Sequence, residues 1–152
     1  QRSPGQEGEL TSSQADAVTA LLDGLPSLRS ETFQCWLGEH LTEPKPQFQI
    51  LPPDMTWSSH SLEQHVAAGG SLTRHPWARL CWHELDGQRL ALFFNGEHLI
   101  LPVAQKGLIE DLCQRRALDA ALLSTHLAND RAVSELLLQL LGIGILEAAE
   151  RA

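Results

Sequence analysis

The sequence predicts an α+β fold, in which a helical region is followed by a β-hairpin and then a helical unit with flanking strands. Three observations carry this. Apolar residues at helical spacing occupy both parts of the chain that flank its middle, as in Phe33, Trp36, Leu37 and Leu41, and again in Val133, Leu136, Leu137, Leu140 and Leu141. Between them lie short apolar runs punctuated by Asp86-Gly87 and Asn95-Gly96, dipeptides suited to two-residue hairpin turns. The 152 residues are 43% apolar and 20% charged, which suits one ordinary domain or two small ones and is too apolar for a mainly disordered chain.

Residues 1–12, opening Gln1-Arg2-Ser3-Pro4-Gly5, have the composition of a flexible linker. The chain does not begin with Met, and it reads as a piece of a longer protein. From Ser13, the spacing of Ala17, Leu21, Leu22 and Leu25 predicts a helix, with Ser12 or Ser13 as N-cap and Pro26 as terminator. A second helix is predicted over 30–41, where Phe33, Trp36, Leu37 and Leu41 share one face. Glu43-Pro44-Lys45-Pro46 stops it, because proline lacks the donor that a helix needs and restricts the residue before it. Residues 47–57, with Pro52-Pro53, read as extended. A short helix then starts at Ser59 or Ser61, runs through Leu62, Val66 and Ala67, and is closed by Gly69-Gly70.

Strands are predicted at 71–74, 78–84 and 88–94, with Asp86-Gly87 turning the last two, and Asn95-Gly96 leads into a further strand at 98–101. Helices follow at 104–114, 118–127 and 130–141. Gly142 reads as the residue that ends the last helix, and Ile143 to Leu146 as a returning strand. Residues 13–69 thus form a helical region and 70–152 a hairpin plus helical unit. Within 98–146 the order strand, helix, helix, helix, strand suggests a winged helix. In a DNA reader the third helix presents basic and amide side chains to the major groove. Here it offers Arg131 and Gln139 beside Glu135, and one arginine cannot supply several phosphate contacts.

Charge points the same way. The net charge is −8, with nine acidic and three basic residues in 1–69, and no part of the chain has a basic excess, so nucleic acid is not an expected partner. The acidic stretch reads as a solvated surface, or as an attraction for a basic partner. Three cysteines far apart form no disulfide framework and suit a reducing cytoplasm. No apolar run reaches the roughly 20 residues that cross a bilayer, and no secretory signal pattern is present.

Motifs for chemistry are sparse. His60, Glu63 and His65 have the order H-x-x-E-x-H rather than H-E-x-x-H, and histidines five apart on a helix share a face poorly, so they read as surface residues. Cys81 and His83 fall on one strand face with no second pair at zinc spacing, and Cys113 reads as a small core residue. No His-x-Asp or His-x-Glu occurs, so a non-haem iron triad has no matching positions. There is no G-x-S-x-G elbow, and Gly142-Ile143-Gly144 is too little for a phosphate cradle. Arg74, His75, Trp77 and Arg79 form the one basic-aromatic cluster, able to grip a phosphate or a peptide carboxylate, although such a stretch is more often a strand edge with Trp77 packed on a neighbour. No catalytic, cofactor-binding or metal-binding residue is assigned.

Four segments, taken in order, resemble one family. They are Phe33-Gln34-Cys35-Trp36-Leu37-Gly38-Glu39-His40-Leu41-Thr42-Glu43-Pro44-Lys45, Gly70-Ser71-Leu72-Thr73-Arg74, Ala78-Arg79-Leu80 and Phe94-Asn95-Gly96-Glu97-His98. The family is the bacterial ribosomal oxygenases, JmjC/cupin-type 2-oxoglutarate-dependent hydroxylases of a ribosomal protein arginine. The resemblance implies a helical dimerisation region over 13–69 and a hairpin with a winged-helix-like domain beyond it. It places Fe(II), 2-oxoglutarate and the ribosomal protein substrate with a catalytic domain that this chain lacks. It also implies a homodimer in the cytoplasm, with Phe33, Trp36, Leu37 and Leu41 as interface residues. The residues add a reason of their own, since so wide an apolar face is more than a short helical segment buries on itself. Replacing Trp36 should weaken association more than replacing Trp82, whose strand reads as internal. Two other readings stay open: a stand-alone winged-helix module for interaction or nucleic acid binding, and a free-standing scaffold without a catalytic domain.

Overall fold

The computed structural model describes residues 12–24 and 30–150. The linker expected over 1–12 lies outside them apart from Ser12, as do Leu25 and Pro26. The chain divides into two compact units, residues 1–34 and 35–152. In the first, α1 (Ser12–Asp23) is an amphipathic helix with no buried residue, and Val18, Leu21 and Leu22 are all exposed. The start of α2 (Glu31–Thr42) also lies in this unit, where the Ser30 hydroxyl accepts from the Phe33 N–H at 3.2 Å.

In the second unit, Pro44 and Pro46 follow the end of α2. The segment expected to be extended from residue 47 instead opens with one 3-10 turn, Pro46–Phe48, because Pro46 presets the backbone angle that a helical first position needs. Helix α3 (Ser59–Ala67) is capped by Ser58, one residue before the expected start. Ser58 and Ser61 each accept from the other's backbone N–H, at 3.1 and 2.8 Å.

The strands sort into two three-stranded antiparallel sheets. One is a meander of β2 (Leu80–Glu84), β3 (Arg89–Phe94) and β4 (Glu97–Pro102), with Trp82 opposite Leu92 and Leu90 opposite Leu101. Asn95 and Gly96 take positive φ, 47° and 87°, as a two-residue primed turn requires. The run Leu90-Ala91-Leu92-Phe93-Phe94 is buried throughout. A central strand covered on both faces has no reason to alternate.

The other sheet has the order β5-β1-β6, where β1 is Ser71–Arg74, β5 is Ala117–Leu118 and β6 is Leu146–Ala149. Helices α4 (Lys106–Gln114), α5 (Ala120–Asn129) and α6 (Ala132–Gly142) complete this part. The α+β class and the winged helix stand, although the returning strand expected over Ile143 to Leu146 begins only at Leu146, because Gly144 first takes a left-handed turn. The strand before α4 belongs to the meander, because a two-residue turn leaves β4 no partner but β3. The strand that pairs with β6 is β1, with Leu72 opposite Ala148. The short β5 takes the place of the expected start of a helix, and Asp119 caps α5 instead, accepting from the Leu122 N–H at 2.8 Å.

Gly142 also sits inside α6. The left-handed residue is Gly144, at φ 85°, where a Cβ would come within 3.0 Å of the Leu51 carbonyl oxygen. The core joins Leu62 and Val66 of α3, Leu72, the inward side of β3, and the apolar faces of α4, α5 and α6. No helix among the described residues is long and apolar enough to cross a membrane.

Candidate interaction surface

The four residues predicted to form an interface all lie on α2, and the structure turns three of them outward. Trp36 is 54% exposed, Leu37 37% and Leu41 60%, while Phe33 is half-buried. The buried positions of α2 are Gly38 and Thr42, small residues that the apolar pattern had passed over. Gly38 lies so close to the Phe93 ring that a methyl group added there would fall within it. The helix therefore approaches β3 through backbone, with Trp36, Leu37 and Leu41 on its exposed side.

Polar contacts hold α2 at this angle. The Thr42 hydroxyl reaches the Gly38 carbonyl oxygen at 2.9 Å and accepts from the Gly96 N–H at 3.0 Å, so the end of the helix is hooked to the tip of the β3–β4 turn. A second tie joins the Glu39 carboxylate to His98 Nδ1 at 2.5 Å. On the outer face the Trp36 ring stacks on His40, at 5.4 Å and 4° between planes, and His40 lies 3.8 Å from the Glu43 carboxylate. The two ties to the β3–β4 hairpin, Thr42 to Gly96 and Glu39 to His98, were not legible in the sequence, since their partners lie more than fifty residues apart.

The other candidates disperse. His65 turns inward, with Nε2 2.8 Å from the Ser71 carbonyl oxygen and its ring edge-on to Trp57, while His60 and Glu63 stay in solvent. Burial raises the thiol pKa of Cys81 and pushes that of Cys113 up to about 11, so both are protonated at neutral pH and neither is poised as a nucleophile. No group of three His, Cys, Asp or Glu side chains among the described residues could hold a metal ion.

The basic-aromatic cluster also divides. Arg74 donates to the Cys113 carbonyl oxygen at the end of α4, at 3.1 Å, and His75 accepts from the Trp77 N–H. Trp77 and Arg79 face a different cleft. On α6 and its N-cap, Arg131, Glu135, Gln139 and Gly142 are the exposed positions, and five leucine and valine positions are buried. Trp82 requires a correction: its strand β2 is an edge strand, although the side chain is partly buried and lies beneath the Lys106 ammonium at 5.5 Å. A hydrogen bond between His126 Nε2 of α5 and the Asp111 carboxylate of α4, at 2.7 Å, also escaped sequence reasoning.

The ROXA-like winged helix family matches residues 17–147. No curated protein sequence gives a significant match. Among solved structures, the chain is similar to a crystal structure of the ribosomal oxygenase YcfD from Escherichia coli, at TM-score 0.70 and 19% identity over 98% of this chain. Another structure of that protein, in complex with cobalt and 2-oxoglutarate, gives 0.67 and 17% over 97% of this chain. The chain spans 38% of the length of each of these structures.

Proposed function

The chain belongs to the ROXA-like winged-helix family, and from that premise we propose that it is the non-catalytic C-terminal region of an Fe(II)- and 2-oxoglutarate-dependent ribosomal protein hydroxylase, acting in dimerisation. The family match and the similarity to a ribosomal oxygenase bear out the resemblance carried by the four sequence segments. The observation that carries the dimerisation role is the orientation of α2, with Gly38 and Thr42 inward and Trp36, Leu37 and Leu41 outward.

Apolar side chains turned outward by a small-residue contact keep much of their surface in water. Covered by a second copy, they would bury surface worth about 25 cal/mol per Å² before the cost of association is set against it.

The described residues do not supply a His and carboxylate set that fits iron, so the hydroxylation is assigned to a separate JmjC/cupin domain and no step of it is derived for this chain. The ribosomal protein substrate belongs with that domain too, and the cytoplasm is the proposed location. The largely buried α6 favours a packing role for the winged helix over groove reading. Light scattering over a hundredfold range of concentration tests the dimer. Twice the 16.7 kDa chain mass is expected at the upper end, and 16.7 kDa throughout would overturn the proposal.

A further inference from the structure

Trp77 and Arg79, two of the four basic-aromatic residues, meet a part of the chain that no sequence pattern links to them. The 3-10 turn at Pro46–Phe48 lays Phe48 edge-on against Trp77, with ring centres 5.6 Å apart and planes at 66°. Both rings remain more than two-fifths exposed. They form one corner of a cleft of about 440 Å³, walled by Pro44 and Pro76 and flanked by Lys45 and Arg79. Its walls are fixed before anything binds. The Phe48 N–H donates to the Lys45 carbonyl oxygen at 2.9 Å and the Ala78 N–H to that of His75, while Arg79 Nη1 donates to the Glu43 carbonyl oxygen at 3.0 Å.

The charge of this cleft runs against that of the molecule. In a chain of net charge −8, two cations border it, and among the described residues neither Lys45 nor Arg79 is in an ion pair. We propose that the cleft binds an acidic peptide segment, with a proline or aliphatic side chain seated in the Phe48–Trp77 corner and an adjacent carboxylate held by Lys45 and Arg79. Aromatic clefts with rigid walls favour extended, proline-bearing chains, which lose little entropy on binding. Single-stranded nucleic acid fits less well. It calls for exposed ring faces on which successive bases stack and for a row of cations along the backbone, whereas this cleft has two rings set across each other and two cations.

The test is fluorescence anisotropy on the 152-residue chain with three labelled probes: the peptide Leu-Pro-Glu-Glu, its amide counterpart Leu-Pro-Gln-Gln, and an oligouridine. The acidic peptide should bind about tenfold more tightly than the amide at low salt and lose that advantage as salt rises. Lys45→Glu should remove the preference, and Trp77→Ala should weaken both peptides alike. Equal binding of the two peptides, an unchanged preference in Lys45→Glu, or tighter binding of oligouridine than of either peptide would each overturn the proposal. Lys45 is exposed, so that variant stays informative if Trp77→Ala fails to fold.

Discussion

Helices α2 and α6 carry the same kind of apolar stripe and meet opposite fates. In α6, Val133, Leu136, Leu137, Leu140 and Leu141 are all buried within the chain's own core. In α2, Trp36, Leu37 and Leu41 are exposed while Gly38 and Thr42 are buried. Periodicity identifies a helix and its apolar face, but it does not say which neighbour covers that face. For α6 the neighbours are α3, α5 and β6 of the same chain, whereas for α2 the proposed neighbour is another molecule.

The largest expected effect lies in α6. Leu137→Ala empties a site with no solvent exposure and should cost about 2–5 kcal/mol of folding stability in urea denaturation. A loss like that of a surface leucine would break the contrast. On α2 the sharpest change is to its smallest residue. Gly38→Ala gains helix propensity of roughly 1 kcal/mol, yet drives a methyl group into a Phe93 ring that is itself buried, a clash of about 1–3 kcal/mol. A net destabilisation is expected, relieved when Phe93→Leu is added, and thermal melts of the single and double variants would check it.

Trp36→Ala should leave folding within roughly 1 kcal/mol of the parent but weaken self-association by about 1–2 kcal/mol, roughly tenfold in Kd by sedimentation. Trp82→Ala should do the reverse, because its ring packs on the core of its own chain. The smallest effect serves as a reference outside both helices. The Gln88 N–H and then the Arg89 side chain hold the Asp86 carboxyl below the ordinary aspartate range. Its contribution is therefore present above the ordinary aspartate pKa and is lost as pH falls through the lowered value. Asp86→Asn should slightly flatten the dependence of stability on pH below about pH 4, as followed by acid titration of the circular dichroism signal.

Much of the fold was legible because local rules and tertiary packing agreed. The hairpin dipeptides fixed the meander, and the leucine spacing fixed α4 and α6 to within about two residues. What stayed hidden was pairing at a distance. Nothing in Ser71–Arg74 marks it as the partner of β6 rather than of the hairpin that follows it in sequence, and a two-residue strand such as β5 has too few side chains to show a period. The candidate surface was half legible. The large residues of α2 were found from their spacing, but the small face that turns them outward was not, because Gly38 and Thr42 carry no hydrophobic signal. The cleft beside Trp77 was hidden for a related reason, since Phe48 lies twenty-nine residues away across α3 and β1.

Hairpin tips are ordinarily where a chain tolerates insertion, and the two tips of this meander should differ sharply in that respect. A Cβ placed on Gly87 meets nothing within 4 Å, so extra residues there can loop into solvent, and a tag or fluorophore can be carried without consequence. The tip at Asn95-Gly96 is the anchor of α2 through Thr42. Lengthening it would shift the hook and re-aim the helix, so its length is held by a helix more than fifty residues earlier in the sequence.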